Sequence, residues 1–373
     1  MGAGAIPAVG SIAGMTWGES RCGVRPRRRG ASLALGLVVA LTVTSCTSTS
    51  SRQGDVRGSG SACTLSAKAV PSCGVLWGVA TRPPTMARLE QVEKTIGRPF
   101  DFVYRYHDIN DQVPDAQERQ LVHQGRLLHI DIAARDFRTG DRSGVSWADI
   151  AAGKYDDTLS AQARGVASLK KPVFVTFDQE ANQHTKLDVS GDAAQFKAAW
   201  RHLHALYRAA GATNAVWTWV MTGNARNLNR AASLWPGNDV VDWISWNVYN
   251  QSGCLSGKVE EAKFRSFADE LKPFYEFVKK RGPSIGMDPN KPMMVSETGS
   301  VAYATSPDLT ANWYAAIPTT LRQYPQVKAV ALWDSVSGSC NYQFQSEPAV
   351  ADGVRKAGLD PHLDTGRKLT SAS

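Results

Sequence analysis

The sequence predicts an α/β protein in which eight strands alternate with helices and close into a (β/α)8 TIM barrel. Short apolar, β-branched runs recur along the chain, and each is followed by a stretch with helical spacing of its apolar residues. The runs are almost continuously apolar, as expected for parallel strands buried on both faces. The length of 373 residues accommodates one barrel of about 250 residues and an N-terminal extension.

The predicted elements follow one another in a regular order. Predicted strands cover residues 74–80, 100–106, 127–133, 172–177, 215–220, 241–247, 292–296 and 327–333. Predicted helices cover residues 86–96, 116–124, 158–169, 192–210, a short segment near Ala231, 259–280, 309–322 and 349–357. This alternation favours a parallel sheet closed into a barrel. An open doubly wound sheet is the alternative, but no Gly-x-Gly-x-x-Gly motif follows the first strand.

Residues 1–46 predict an export signal. An arginine-rich segment at 25–29 precedes a 13-residue apolar segment at 31–43, which is too short to cross a membrane. The segment ends in Val43-Thr-Ser-Cys46, which resembles a bacterial lipobox, in which the cysteine carries the lipid. An ordinary signal peptide cleaved nearby is the alternative. We expect an exported protein, extracellular or anchored through Cys46 to the outer face of the cell membrane.

Composition divides the remaining chain into three parts. Residues 47–62 are rich in serine, threonine and glycine and predict a flexible tether. Residues 63–366 predict the barrel domain, and 367–373 a disordered tail. We expect this domain to be a monomer.

Charge gives little support to nucleic-acid binding. The net charge is +8, but residues 1–46 hold five arginines and one acid. Without them, 37 basic and 33 acidic residues remain, a net charge of +4. No basic stripe with interleaved aromatic residues remains. The 11 tryptophans would stack on sugar rings or, alternatively, fill the core.

Four cysteines follow the leader: Cys63, Cys73, Cys254 and Cys340. An even number in an exported chain predicts two disulfides, for which three pairings are possible. We favour Cys63 with Cys73 as a local clip, which leaves Cys254 and Cys340 to join two loops that each follow a predicted strand. A zinc site is disfavoured because no Cys-x-x-Cys pair or His/Cys cluster is present.

Chemically reactive side chains are concentrated where the fourth predicted strand ends. The apolar run is followed by Asp178, Gln179, Glu180, Asn182 and His184. A core strand gains nothing from ending in acids and amides, whereas a site at the carboxyl end of a barrel strand takes this form. Structural roles are the alternative for Asp178, which would pair with a basic residue or cap a turn, and for His184. The spacing matches no strong metal-ligand motif.

A second glutamate, Glu297, ends the seventh predicted strand in a similar layout of Lys-Pro, apolar strand and acid. The carboxyl ends of barrel strands meet at one face, so Glu180 and Glu297 should face each other across a bound sugar. One carboxyl group would protonate the leaving oxygen, and the other would stabilise or attack the anomeric carbon. The pair therefore predicts hydrolysis of a glycosidic bond.

Other strand ends supply candidate substrate contacts. Tyr249 and Asn247 end the sixth strand, where Tyr249 would hydrogen-bond the second glutamate. Trp219 shares one face of the fifth strand with Trp217 by alternation. Trp333 on the eighth strand would form a platform under the sugar, and Asn182 would bind sugar hydroxyls. Residues beside strands two and three would line outer subsites: His107, Asp108, Asp131 and Asp136.

The order of these motifs resembles glycoside hydrolase family 26, one of a clan of retaining barrel glycosidases with glutamates on strands four and seven. The family's His-Glu-x-Asn motif corresponds to Gln179-Glu180-Ala181-Asn182, and its Glu-x-Gly motif to Glu297-Thr-Gly299. Its sixth-strand tyrosine corresponds to Tyr249 and its eighth-strand tryptophan to Trp333. The resemblance covers about residues 74–360.

The resemblance implies a retaining double displacement with Glu297 as nucleophile and Glu180 as acid/base, and no cofactor. Retaining geometry implies carboxyl groups roughly 5–5.5 Å apart. The implied substrate is β-mannan cut from within, with β-1,3-1,4-glucan or β-1,3-xylan as alternatives. Gln179 stands in place of the family's histidine, which leaves substrate preference and pH optimum open. The alternative from another class is a non-catalytic carbohydrate-binding lipoprotein on the same scaffold.

Overall fold

The computed structural model describes residues 63–136, 144–345 and 347–364, without the side chains of residues 184, 185 and 188. The predicted export signal, the lipidation candidate Cys46, the tether and the tail at 367–373 lie outside the described residues. None of the helices in the described ranges is long and apolar enough to span a membrane.

Eight parallel strands form a closed barrel in sequence order, with the last strand paired to the first. They are β1 (Leu76–Thr81), β2 (Phe102–Asp108), β3 (Leu127–Ala133), β4 (Val173–Phe177), β5 (Ala215–Thr222), β6 (Trp243–Asn250), β7 (Met293–Ser300) and β8 (Val327–Asp334). The predicted fold is confirmed. A small antiparallel hairpin of β9 (Val336–Ser337) and β10 (Cys340–Asn341) follows the barrel.

The helices lie between the strands along the chain. They are α1 (Met86–Ile96), α2 (Ala116–His123), α3 (Trp147–Ala151), α4 (Asp156–Ser168), α5 (His184–Ser190), α6 (Ala193–Ala209), α7 (Leu228–Ser233), α8 (Phe267–Glu276), α9 (Pro307–Ala315), α10 (Ile317–Leu321) and α11 (Pro348–Gly358). The predicted helix 259–280 begins later, at Phe267, because Ser266 and Asp269 form a capping box there. The predicted helix 309–322 is divided near Pro318, which lacks the N–H that a continuous helix requires.

The barrel interior changes from apolar to polar along its axis. One end is filled by an apolar cluster that includes Leu76, Phe174 and Trp243. Nearer the carboxyl ends of the strands, His129 stacks on Tyr104 with 3.8 Å between ring centroids. His129 also lies 2.7 Å from the Thr176 hydroxyl. The polar layer therefore lies at the end of the barrel where the strand-end glutamates are found.

The tryptophans are mostly core residues. Within the described ranges, every tryptophan except Trp333 is buried. Those on the outer face of the strands, such as Trp217 and Trp246, pack against helix residues including Trp200 and Phe274. The high tryptophan count is therefore explained chiefly by packing between barrel and helices.

Both favoured disulfide pairings are present. Cys63 and Cys73 are joined with 5.5 Å between their Cα atoms. Cys254 and Cys340 are joined with 5.1 Å between theirs. The second bond links the loop that follows β6 to the hairpin that follows β8.

Candidate active site

The chain turns sharply where β4 ends. Asp178 and Glu180 have φ values of 46° and 58°, in the left-handed region that is unfavourable for residues other than glycine. Hydrogen bonds hold the turn on both sides: the Asp178 N–H donates to Ile132 (2.9 Å) and the Glu180 N–H to Val220 (2.9 Å). The neighbouring strands β3 and β5 thus impose a conformation of the kind that is concentrated at functional sites.

Asp178 has the structural role that was one alternative from the sequence. It is buried, and it accepts hydrogen bonds from Trp147 Nε1 (2.8 Å) and Lys186 Nζ (2.6 Å). Lys186 also donates to the Gln179 carbonyl. The charge of Asp178 is therefore paired, and α5 is connected to the turn through Lys186.

Glu180 lies among amide donors. Asn247 Nδ2 donates to its Oε1 over 3.1 Å, and Gln183 Nε2 donates to its Oε2. Burial, followed by the nearby negative charge of Glu297, raises the pKa of Glu180 to about 7, although the amide donors and Lys186 oppose this change. A carboxyl group with this pKa carries a proton over much of the range below neutrality, as a general acid requires.

Glu297 is directed into the barrel mouth by an irregularity in β7. Trp246 pairs with Val295, but the next residue of β6, Asn247, pairs with Glu297, which leaves Ser296 as an extra residue. A bulge of this kind changes the direction in which the following side chain points. The Ser296 hydroxyl donates to Asn247 Oδ1 over 3.1 Å and stabilises the distorted segment.

Two tyrosines fix both oxygens of Glu297. Tyr249 OH donates to Oε2 over 2.5 Å, and Tyr106 OH donates to Oε1 over 2.6 Å. Burial raises the pKa of each phenol well above its usual value of 10. Both hydroxyls therefore remain protonated donors at physiological pH, and they orient the carboxylate. The expected contact of Tyr249 with Glu297 is observed.

Gln179 belongs to a hydrogen-bond network that reaches Glu180 through Asn247. Gln179 Oε1 accepts from Tyr104 OH (2.9 Å) and from Asn247 Nδ2 (3.3 Å). The Gln179 N–H donates to Asp131 Oδ1 over 3.0 Å. With its carbonyl oxygen occupied in this way, Gln179 lines the cavity with its NH2 group available as a donor to substrate.

The two glutamates line one cavity of about 490 Å³. Tyr106, Tyr249 and Trp333 also line it. The Trp333 ring packs edge-on against Tyr249 with 5.8 Å between centroids. The structure thus brings together the residues that the sequence assigned to acid, nucleophile, orienting tyrosine and sugar platform.

Two further cavities adjoin this central cavity. One, of about 370 Å³, lies on the β1–β2 side and shares Arg82 and Tyr106 with it. The other, of about 350 Å³, lies on the β5–β6 side and shares Thr222, Tyr249 and Gln251. The glutamates are therefore in the middle of an extended cleft.

Two expected substrate contacts are corrected by the structure. Trp219 is fully buried and packs outside the barrel against Trp235, with 5.2 Å between centroids. The face that it shares with Trp217 is the helix-facing one, because alternation along β5 turns Thr218 into the barrel. Asn182 is also fully buried. It exchanges two hydrogen bonds with the backbone of Thr222, over 3.1 and 2.9 Å, and so fastens the β4 loop to β5.

The residues expected in outer subsites have different positions. His107 lines the β1–β2 cavity, where its Nε2 lies 2.6 Å from Glu118. Asp131 is buried beneath Gln179. Burial raises the pKa of Asp131 to about 7, and Lys186 opposes this change. The side chain of His184 lies outside the described residues.

Sequence reasoning missed Tyr106, Gln183 and Lys186. Tyr106 was detectable in principle, because it lies two residues after Tyr104 on β2, and that spacing places both on one face of a strand. Gln183 and Lys186 act through the conformation of the loop after β4, which residue spacing does not reveal. Within the described residues, no group of three His, Cys, Asp or Glu side chains is placed to hold a metal ion.

No family model matches the chain. A curated relative, Endoglucanase H of Acetivibrio thermocellus, is 23% identical over 292 residues, which cover 75% of this chain and 29% of that protein. The chain therefore spans less than a third of the length of this relative.

The fold is similar to those of several solved mannanases. A modular endo-β-1,4-mannanase from Cellulomonas fimi gives a TM-score of 0.58 at 15% identity, covering 78% of this chain and 71% of that one. The catalytic domain of a family 26 endo-β-1,4-mannanase from Bacillus sp. JAMB-750 gives 0.57 at 15% identity, covering 80% and 88%. A family 26 β-mannanase from Bacteroides ovatus gives 0.55 at 16% identity, covering 78% and 90%. The resemblance to family 26 is confirmed at the level of the fold.

Proposed function

We propose that the protein is a retaining endo-β-glycosidase that hydrolyses a β-linked polysaccharide. The observation that carries this proposal is the pairing of Glu180 and Glu297 in one cavity, with amide donors and a raised pKa at one and two phenol donors at the other. Two carboxyl groups in different environments are what an acid and a nucleophile require.

The proposed reaction has two steps. Glu297 attacks the anomeric carbon while Glu180 donates its proton to the leaving oxygen, which gives a glycosyl-enzyme and releases the leaving chain with a new non-reducing end. Glu180, now ionised, then takes a proton from water, and the water oxygen displaces Glu297. The NH2 group of Gln179 and the face of Trp333 are the proposed sugar contacts beside the reacting bond.

An extended cleft favours cleavage within a chain. The central cavity continues into cavities on both sides, so a polysaccharide passing through would have sugar units on either side of the glutamates. The names of the similar structures favour β-1,4-mannan as the first substrate. The name of the curated relative favours β-glucan as the second.

We further propose that the protein is exported and that Cys46 carries a lipid anchor. The apolar leader, the motif that ends at Cys46 and the two disulfides support this proposal. In a bacterial host, Cys46→Ala should shift the protein from the membrane fraction to the soluble fraction. If the amount of protein in the membrane fraction is unchanged, Cys46 does not carry a lipid anchor.

The test of function is a reducing-sugar assay on β-mannan, mixed-linkage β-glucan and β-1,3-xylan. We expect turnover of at least one polymer and no turnover by Glu297→Ala. Azide should partly restore cleavage by that variant, because the anion attacks the anomeric carbon in place of the carboxylate. The product is then a glycosyl azide without a reducing end, so chromatography with mass spectrometry detects it. Wild-type rates in Glu297→Ala would contradict the assignment. Tight binding of a polymer without any cleavage would favour the non-catalytic alternative.

A further inference from the structure

The cavity on the β1–β2 side has a lining unlike that of a site for neutral sugars alone. Arg82, Arg105 and His107 contribute positive charge, and Asp111, Asp115 and Glu118 contribute negative charge. Burial lowers the pKa of His107, but the hydrogen bonds and charges of Asp111 and Glu118 together outweigh burial and raise it to about 9, so the ring is charged at neutral pH. Formal charges around the cavity are therefore balanced. Whether the cavity binds an anion or a cation depends on which of these charged groups already have partners within the protein.

The acids of this cavity are committed to partners within the protein. Glu118 accepts from His107 Nε2 (2.6 Å) and from the Asp115 N–H (2.8 Å). Asp115 accepts from the Glu118 N–H over 2.7 Å and so caps α2. Asp111 accepts from the Asp108 N–H over 2.9 Å and lies 3.5 Å from His107 Nδ1. The carboxylates are thus used to cap a helix, to fix a loop and to bind His107.

The two arginines of this cavity lack such partners for most of their N–H groups. Arg105 is 5% exposed, and neither its Nη1 nor its Nη2 has a hydrogen-bond partner in the described structure. Burial lowers the pKa of Arg105, and the charges of Glu118 and Asp115 offset this only in part. A buried guanidinium without hydrogen-bonded acceptors is uncommon, because the uncompensated group costs free energy.

Arg82 occupies the boundary between this cavity and the central one. Its guanidinium carbon lies 5.1 Å from the centroid of the Tyr106 ring, whose hydroxyl holds Glu297. The residue is exposed, and within the described part of the chain its side chain forms no ion pair or hydrogen bond. Stacking on Tyr106 fixes the plane of the guanidinium while its N–H donors stay available.

We propose that Arg82, supported by the charge of Arg105 in the same cavity, binds a carboxylate on the polysaccharide, such as the acid group of a hexuronic acid unit. A planar guanidinium donates two parallel hydrogen bonds to a carboxylate, and the ligand supplies the acceptors that Arg82 lacks and a further negative charge near Arg105. The proposal rests on the proposed function and narrows its substrate class to acid-bearing β-glycans. The alternative, which the test distinguishes, is that Arg82 binds neutral sugar hydroxyls.

Binding can be measured apart from turnover. Glu297→Ala protein would be titrated by calorimetry with a β-1,4-mannan oligosaccharide carrying one glucuronic acid and with the same oligosaccharide after reduction of its carboxyl group. We expect the acidic form to bind about 10-fold or more tightly, as a charged hydrogen bond allows. Introducing Arg82→Met into this protein should abolish the difference in affinity between the two ligands. Arg82→Lys in its place should retain only part of that difference. Arg119→Met is the control, because that arginine is exposed on α2 and lines neither cavity.

The outcomes separate this inference from the proposed function. Equal affinity for the two forms, or an equal loss for both in Arg82→Met, would overturn the carboxylate site even if the wild-type enzyme cleaves neutral mannan. A preference for the acidic form that depends on Arg82 would support the site even if neither form is cleaved, in which case the proposed hydrolysis fails and the binding site stands. Raising NaCl from 50 to 500 mM should weaken binding of the acidic ligand only, because salt screens the interaction of its charge with Arg82.

Discussion

The ends of β4 and β7 each place a glutamate in the same cavity, but they do so by different means. At β4 the backbone leaves the strand, passes through two left-handed residues and presents Glu180 from a loop. At β7 the backbone stays in the sheet, and one extra residue, Ser296, directs Glu297 inward. The loop glutamate faces amides and has a raised pKa, whereas the strand glutamate is held by two phenols.

This difference suits the two glutamates to the two roles proposed for them. An acid/base must change protonation state in each half of the reaction, and a pKa near neutrality allows both transfers. A nucleophile must be aimed at one atom, and hydrogen bonds to both of its oxygens restrict its orientation.

The largest effect is expected from the phenols that hold Glu297. Tyr249→Phe and Tyr106→Phe each remove one hydrogen bond to a charged group, so kcat should fall about 10- to 100-fold. Tyr104→Phe is the matched comparison, because Tyr104 lies on the same strand as Tyr106 and donates to Gln179 instead. Steady-state kinetics of the three variants would check this. A loss in Tyr104→Phe as large as in the other two would argue against a specific role of the Glu297 contacts.

The second effect concerns the pH dependence set by Glu180. Its proton is needed in the first step, so activity should decline as pH rises through about 7. Gln183 and Lys186 both lower the pKa of Glu180. Gln183→Met and Lys186→Met should therefore raise it and move the alkaline limb of kcat/KM to higher pH. A limb that moves to lower pH, or that stays in place in both variants, would show that Glu180 does not control it.

The same pKa predicts a stability difference with a definite sign. In the folded protein the pKa of Glu180 lies above its usual 4.5, at about 7. Its contribution is thus fully favourable below pH 4.5 and is lost as pH rises toward about 7. Glu180→Gln removes the ionisation, so its Tm should rise relative to wild type between pH 4.5 and 8. Parallel thermal unfolding curves across that range would contradict burial of the carboxyl group.

The smallest effect on activity is expected from the disulfide beside the cleft. Cys340 lines the central cavity, and Tyr342 packs against Tyr249 with 4.8 Å between centroids. Replacing Cys254 and Cys340 together with serine should lower kcat/KM a few-fold through Tyr249. The Cys63/Cys73 double variant is the control, because that pair does not line the cleft. Equal activity losses in the two double variants would show that the Cys254–Cys340 bond does not act on activity through Tyr249.

Thermal unfolding of the same variants gives an independent check. The two disulfides close loops with sequence separations of 86 and 10 residues. Loop-closure entropy then predicts that losing the longer loop costs about 2 kcal/mol more than losing the shorter one. A larger loss for the Cys63/Cys73 variant would contradict this ranking.

Much of the barrel and part of the site were predictable from the sequence. Apolar runs with β-branched residues located all eight strands, and the acids at the ends of β4 and β7 were recognisable because nothing in a core requires them there. Tyr249 and Trp333 followed from their positions at strand ends. These inferences use only strand order and the shared direction of barrel strands.

The remainder depended on information that spacing does not contain. Trp219 was misassigned because alternation gives the face that two residues share but not which face points inward. Asn182 was misassigned because its partner is a backbone segment distant along the chain. The bulge at Ser296 and the left-handed turn at Glu180 are set by neighbouring strands, so their consequences for direction and pKa required the three-dimensional structure.

The most direct test of the account is to trap and locate the covalent intermediate. A 2-deoxy-2-fluoro mannoside with a good leaving group slows the second step, so a sugar bonded to the nucleophile should accumulate. Peptide mass spectrometry should then find the fluorosugar on Glu297, and Glu180→Gln protein given an activated leaving group should be labelled at the same residue. A label on Glu180 or on another carboxylate, or steady turnover with no covalent adduct, would contradict the roles assigned to the two glutamates.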